Sequence, residues 1–238
     1  MDIISLTTIP KRVEKIKPCI DSLLRQGLII YLWLSEDYGR PEGQIKHVPD
    51  FLNDSRIRVR FVEDHGSITK LYPAIYLTNV DRILTADDDI VYPDNWAKNL
   101  LDASWEYPDD ALCYRGRVLN REGKRILPYN QSTLYKGANF KKVHLVTGVW
   151  GCLYRRKFFD DDFFFYRQYD YMSRVDDIWI SGYLEWKGIT KRCIPKVEIK
   201  NAKDDEGKKI YKINALFGKN RRSTFNDDAI NLFSWQNL

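Results

Sequence analysis

The chain has 238 residues, a formal net charge of +5 and a mean hydropathy of −0.48, values that suit one large globular domain or two small ones. Its longest apolar run, Gly27 to Leu34, is far too short to cross a bilayer, and the N-terminus has none of a signal peptide's basic and apolar regions, so a soluble, cytoplasmic chain is expected. The four cysteines form no CxxC pair, which argues against a zinc ribbon or a disulfide framework and for buried thiols.

Asp2 to Thr7 reads as a short buried strand. Val13, Ile16, Ile20, Leu23 and Leu24 recur at helical spacing; Pro18 inside the pattern kinks that helix or delays its start, and Gly27 is placed to end it. Gly27 to Leu34 is the next strand, followed by Ser35-Glu36-Asp37 and Gly39. Arg56 to Val62 alternates apolar and basic residues, as a half-exposed strand does, and Asp64-His65-Gly66 makes a turn. Lys70 to Val80 reads as helix and Arg82 to Ala86 as the fourth strand. The pattern β-α-β-β-α-β implies an α/β fold with a mostly parallel sheet flanked by helices.

Asp94 is placed to cap a helix bearing Trp96, Leu100, Leu101 and Trp105. Ala111 to Gly116 reads as a strand, Val118 to Leu127 as a hairpin around Glu122-Gly123, and Asn130 to Lys142 as a loop. Thr147-Gly148-Val149-Trp150-Gly151 sets a flat apolar ring between two glycines. Arg174 to Trp186 reads as a helix with Asp176-Asp177 at its start, capped by Gly188, and Ile189 to Ile199 as strand. Lys191 to Arg222 holds eleven Lys/Arg against four Asp/Glu, and Asp228 to Leu238 has an amphipathic pattern.

Ligands of open parallel sheets bind beyond the carboxyl ends of the strands. Each early strand here ends in polar residues: Thr7-Thr8, Ser35-Glu36-Asp37, Glu63-Asp64 and Asp87-Asp88-Asp89. Three adjacent carboxylates repel one another unless water or a cation neutralises them. Hard cations prefer carboxylate oxygen, so the triplet is either a solvated turn or the mouth of a metal site. Asp176-Asp177 is either a helix-capping pair or a source of a general base.

With the frame before the triplet and Pro93-x-x-Trp96 after it, the chain resembles nucleotide-sugar-dependent glycosyltransferases of the GT-A fold, of the kind found in bacterial capsule and O-antigen assembly. The resemblance runs over residues 2–200. It rests on Ser5 to Pro10 with Arg12, Leu34 to Asp37, Asp64-His65-Gly66 with Lys70, the DxD-type Thr85 to Asp89, Gly148 to Gly151, and Asp176-Asp177. It implies a GT-A domain over 1–200, with a nucleotide-binding half to residue 93, an acceptor half from 94, and a basic, amphipathic extension over 201–238.

The resemblance implies that Thr7, Thr8 and Arg12 flank the nucleotide, and that Glu36 or Asp37 meets base or ribose. Asp64 and Lys70 would face base or diphosphate. Asp89 would bind Mn2+ or Mg2+, with Asp87 as second ligand or, with Asp88, at the ribose or a metal-bound water. Trp150 and Gly151 would line the sugar and acceptor pocket, and Asp177, or its neighbour Asp176, would be the base of an inverting hexosyl transfer. The implied donor is UDP-linked, with UDP-galactofuranose one candidate, and the implied acceptor is a glycan, free or lipid-linked. The basic segment and the amphipathic end suit peripheral contact with an anionic membrane. One departure stands out: many relatives place a late His on the metal, whereas His47, His65 and His144 all precede Asp177, and Asn201, Lys203 or Asp204 occupies that region.

Two other classes compete. A metal-dependent nucleotidyltransferase is disfavoured because Thr7 to Arg12 holds no glycine for a phosphate loop. A nucleic-acid-binding protein could use the basic segment, but that segment has no recognised module, and an acidic strand end repels phosphates, so no nucleic acid is expected.

Overall fold

The computed structural model describes residues 1–38, 44–137, 139–169, 171–172, 175–212 and 219–236, with backbone alone for 219–223. Gly39, Arg174, the stretch 213–218 of the basic segment and the last two residues of the amphipathic end therefore lie outside the described residues. The chain is α/β and forms two compact units, Met1–Asn99 with Val197–Leu216, and Leu100–Lys196 with Phe217–Leu238.

In the first unit, β1 (Asp2–Thr7), α1 (Pro10–Val13), α2 (Lys17–Leu24), β2 (Ile29–Leu34), β3 (Ile57–Phe61), β4 (Arg82–Thr85) and β5 (Ile90–Val91) follow in order. The sheet order is β4-β1-β2-β3, and all of its pairings are parallel. Ile3, Ile4, Leu6, Ile30, Leu32, Leu34, Ile83 and Leu84 are buried, as near-continuous apolar runs in parallel strands require. Parallel registers bring the polar ends after Thr7, Leu34, Phe61 and Thr85 to one edge of this sheet.

Pro18 sits in the first turn of α2, so the helix starts late, and Gly27 takes a positive φ of 73° after it. The helix expected over Lys70 to Val80 is absent; Gly66–Lys70 and Ala74–Tyr76 are separate 3-10 turns. Pro73 has no N–H to continue a ladder, and Leu77 is already extended. The next helix, α3 (Trp96–Glu106), begins after Asn95, while Asp94 accepts from Arg25 Nε at 2.8 Å. The strand Lys200–Asn201 pairs antiparallel with β5, and Ala202 N–H donates to Asp89 O at 2.7 Å. The late segment thus returns to the acidic triplet.

The second unit contains β6 (Ala111–Cys113), β7 (Arg115–Val118), β8 (Arg121–Glu122), β9 (Arg125–Ile126), β10 (Thr133–Lys136), β11 (Lys141–Lys142), β12 (Leu145–Val146), β13 (Cys152–Arg155), α4 (Asp176–Trp186), β14 (Lys191–Cys193) and α5 (Lys219–Ile230). Strands run in the orders β11-β14-β6-β13 and β10-β7-β12, with β8-β9 a hairpin turning at Gly123, φ +57°. The single strand expected from Ala111 to Gly116 is two strands in different sheets, broken at the buried Tyr114. Asn130 to Lys142, expected as loop, holds β10 and β11, whose partners β7 and β14 are remote in sequence and leave no local period. The strand expected from Ile189 to Ile199 is short because Pro195 ends the ladder after Ile194 N–H reaches Cys113 O. All four cysteines are buried thiols. Ile230 and Trp235 are packed inside this unit, with Trp235 Nε1 donating to Ile230 O at 2.8 Å. Among the described residues no helix is long and apolar enough to cross a membrane.

Candidate donor and metal site

The acidic triplet does not present three equivalent carboxylates. Asp88 is only 6% exposed; its Oδ2 accepts from Thr8 Oγ1 at 2.6 Å and its Oδ1 from Arg12 Nη1 at 2.8 Å. It ties the end of β4 to the segment after β1. Asp87 accepts from Lys70 Nζ at 2.9 Å, and Lys70 itself is buried. Backbone contacts fix the turn: Tyr92 O–H receives Asp87 N–H at 2.8 Å, and Cys19 Sγ donates to Asp87 O at 3.3 Å. Among the described residues the Asp89 carboxylate has only a 3.4 Å contact with Arg12 Nη1, and Arg12 Nη2 donates to Tyr211 O at 3.2 Å.

This geometry sets the electrostatics. Burial pushes the Asp88 carboxyl up, and Arg12 and Thr8 oppose that. Asp89 is pushed up to about 7, first by burial and then by the charges of Asp87 and Asp88. Burial beside the same carboxylates raises Cys19 and Tyr92 far above their ordinary values, so both stay protonated. Asp89 is therefore the least compensated charge of the three.

Other expected donor residues lie along the same unit. Thr7 Oγ1 donates to Trp33 O at 2.8 Å. Glu36 and Asp37 are exposed beyond β2, where Ser35 Oγ donates to Asp37 O at 2.7 Å. Asp64 accepts from Gly66 N–H at 2.9 Å and shapes the turn before Lys70. In the second unit, Asp177 Oδ1 accepts from Gly148 N–H at 2.9 Å, joining the start of α4 to the Gly148–Trp150 turn. Asp176 is buried beside it. Gly151 has φ +92°, a backbone that an L side chain resists, and Lys196 Nζ lies 5.9 Å over the Trp150 ring. The structure thus brings Thr8, Arg12, Lys70 and the three aspartates together in one unit, and Asp177, Asp176, Trp150 and Gly151 in the other.

The sequence model of glycosyl transferase family 2 matches residues 10–164, more than half of the chain. The chain belongs to glycosyl transferase family 2. Among solved structures it is similar to S. aureus TarS 1–349 in complex with UDP, with 13% identity and a TM-score of 0.55 over 83% of this chain. It spans only 59% of that TarS chain. It is also similar to a putative glucose-1-phosphate thymidylyltransferase from Bacillus anthracis in complex with sucrose, with 15% identity, a TM-score of 0.51, and 92% and 97% of the two chains covered. These likenesses show the fold alone. No match was found among curated proteins.

A divalent cation fits the donor set of this family 2 chain at Asp87 and Asp89. Besides burial, the charges of Asp87 and Asp88 raise Asp89, and a cation bound there would offset them. Among the described residues no three His, Cys, Asp or Glu side chains are grouped to hold a metal, so the rest of a shell would come from water and phosphate, as hard cations accept. The region expected to replace a late His does come back to the triplet, through the backbone of Ala202.

Several contributing residues gave no signal of their own. Tyr38 O–H donates to Thr8 O at 3.1 Å and accepts from Ser35 N–H at 3.0 Å, clamping two strand ends. Cys19, Tyr92 and Tyr211 act through one thiol, one hydroxyl and one carbonyl, chemistry too common to mark a site. Arg115 and Arg117 had a visible pattern, two arginines at i and i+2 on one strand face.

Proposed function

We propose that this family 2 chain transfers a hexosyl group from a nucleoside-diphosphate sugar to a hydroxyl of a glycan acceptor in bacterial surface-polysaccharide assembly. The observation that carries the reading is the division within the acidic triplet. Asp88 is bound inward by Thr8 and Arg12, while Asp87 and Asp89 stay half-buried with the charge of Asp89 poorly compensated. The UDP held by TarS, a structure of similar fold, supports UDP as the nucleotide to test first, and galactofuranose is one candidate sugar.

In this reading Asp87 and Asp89 hold Mn2+ or Mg2+, which when bound offsets the charge of the departing diphosphate. Lys70 and Arg12 fix the two carboxylates and add positive charge near them. Thr7, Thr8, Glu36, Asp37 and Asp64 border the nucleotide, and Trp150 and Gly151 the sugar and acceptor. The acceptor oxygen bonds to the anomeric carbon as the carbon–oxygen bond to the diphosphate breaks, and the hydroxyl proton passes to the Asp177 carboxylate. Attack opposite the leaving group inverts the anomeric centre. The exposed Lys196, Lys200, Lys203, Lys208 and Lys209 support a place at the anionic inner face of a membrane.

Thermal stabilisation by UDP, GDP, ADP and CMP, with and without manganese, tests the reading. A nucleoside diphosphate should stabilise the chain in a metal-dependent way, and Asp89→Ala should lose the metal dependence. No shift with any nucleotide, or turnover of a nucleoside triphosphate with a sugar phosphate, would sink it.

A further inference from the structure

β7 carries Arg115 and Arg117 on one face, with Gly116 between them facing the other way. A Cβ at Gly116 would come within 2.8 Å of Val143 Cγ2 and 2.9 Å of Leu145 O, so close packing fills that second face. The antiparallel register places Lys136 of β10 opposite Arg115, on the arginine face, and Lys136 is exposed. Arg117 Nη1 donates to Ser132 Oγ at 2.9 Å, and its guanidinium lies 4.6 Å from the centre of the Tyr129 ring.

The two arginines are poorly compensated. The Nε of each is buried without a hydrogen-bond partner. Among the described residues neither guanidinium has a carboxylate at ion-pair distance, whereas Arg12, Arg82 and Arg192 each do. Burial holds Arg115 below its ordinary value, Arg117 adds to the effect, and Tyr129 and Asp177 oppose it. Two adjacent cations with unmet donors are costly without an anion to meet them.

The position of the pair narrows what that anion is. Thr147 donates through both N–H and Oγ1 to Arg115 O, at 2.9 and 3.1 Å. The next residue, Gly148, donates its N–H to Asp177 Oδ1. One short turn therefore holds both the arginine strand and the carboxylate read above as the base. We propose that Arg115 and Arg117, with Lys136, form a subsite for a phosphate group of the acceptor, beside Asp177. This rests on the glycosyl-transfer reading, which makes the surroundings of Asp177 the acceptor side. Phosphate suits the set better than a carboxylate, because two planar forks and an ammonium match several oxygens and more than one negative charge. The phosphate can belong to a lipid diphosphate or to a phosphodiester within a glycan.

The test is binding to the full chain at constant ionic strength, read by thermal shift. The probes are inorganic phosphate, dimethyl phosphate and geranyl diphosphate, against chloride. Phosphate should stabilise the wild type saturably, and Arg115→Gln and Arg117→Gln should each weaken its apparent affinity at least tenfold. Asp177→Asn should tighten it by removing a like charge. A preference for geranyl diphosphate assigns the lipid carrier, and a preference for dimethyl phosphate the glycan phosphodiester. Without phosphate, Arg115→Gln should melt at or above the wild-type temperature, because a half-buried charge with no carboxylate partner is gone; a structural role predicts a lower melting point. Arg117→Lys keeps the charge without the fork and should bind at intermediate strength, which serves if Arg115→Gln does not fold. Stabilisation no greater than with chloride, or unchanged affinity in both Gln variants, overturns the subsite. Loss of UDP–magnesium stabilisation in the Gln variants reassigns the pair to the donor and overturns it too. Phosphate binding without any nucleotide response instead removes the glycosyl-transfer reading and leaves the anion site standing.

Discussion

Asp88→Ala separates the two jobs within the acidic triplet. The substitution removes two charge-assisted hydrogen bonds, from Thr8 at 2.6 Å and Arg12 at 2.8 Å. Bonds of this kind contribute about 1.5–3 kcal/mol each, and Arg12, with a side chain only 14% exposed, is left without its best partner. Relief of repulsion on Asp89 and of the cost of burying Asp88 itself, visible as its raised carboxyl, offsets part of the loss. The net expectation is a destabilisation of about 2–4 kcal/mol, or roughly 4–16 °C for a chain of this size. Urea and thermal unfolding in the presence of a chelator measure it. A double-mutant cycle with Arg12→Met should return a coupling of at least about 1 kcal/mol. Variants that remain folded at low temperature should still show metal-dependent stabilisation by UDP. If Asp88→Ala loses less than about 0.5 kcal/mol yet abolishes that stabilisation, Asp88 is a ligand and the division of labour is wrong.

Asp89→Asn should behave in the opposite way. The Asp89 carboxyl is raised in the fold to about 7, so its ionisation costs stability as pH climbs from about 4 to 7. In chelator the variant should therefore match the wild type near pH 4 and exceed it by about 1–3 kcal/mol at pH 8, while losing stabilisation by manganese; a deficit at pH 8 refutes the charge argument. Asp177→Asn should keep UDP binding and lose transfer by at least about a hundredfold, measured as product formed from donor and acceptor; retained transfer removes Asp177 from the role of base. His144 is buried, its Nδ1 accepts from Leu119 N–H at 2.9 Å, its Nε2 faces Gln236 O at 2.7 Å, and burial holds it below its ordinary value. The neutral ring is thus the folded form, so its contribution is whole above about pH 6.5 and is lost as pH falls through the depressed folded value. His144→Gln should flatten that limb of the stability profile; an unchanged profile places the acid sensitivity elsewhere.

Much of the first unit could be read from the chain. The apolar runs of β1, β2 and β4 are continuous because parallel strands are buried on both faces, and their polar ends mark the edge where they stop. The late start of α2 at Pro18 and, in the second unit, the turn at Gly123 follow from the backbone limits of single residues. The segment from Lys70 to Val80 misleads because its apolar spacing suits a helix, yet Pro73 and the burial of Lys70 against Asp87 give it another course. β10 and β11 hide in a polar stretch because pairing with β7 and β14, not local hydrophobic period, makes them strands.

Three acidic side chains at the end of a strand, and the α/β frame that puts them there, were determined by the sequence alone, since composition and period are local properties. Only the tertiary structure decided which of the three turns inward. Asp88 is buried because Thr8 and Arg12, some eighty residues earlier, meet it there, and the return of Ala202 to Asp89 depends on a segment more than one hundred residues later. Arg115 and Arg117 share a face by their i, i+2 spacing on one strand, but that neither Nε finds a partner there is a property of the packed unit. Side-chain direction at a strand end is set by what packs against it, and that partner is not a neighbour in the chain.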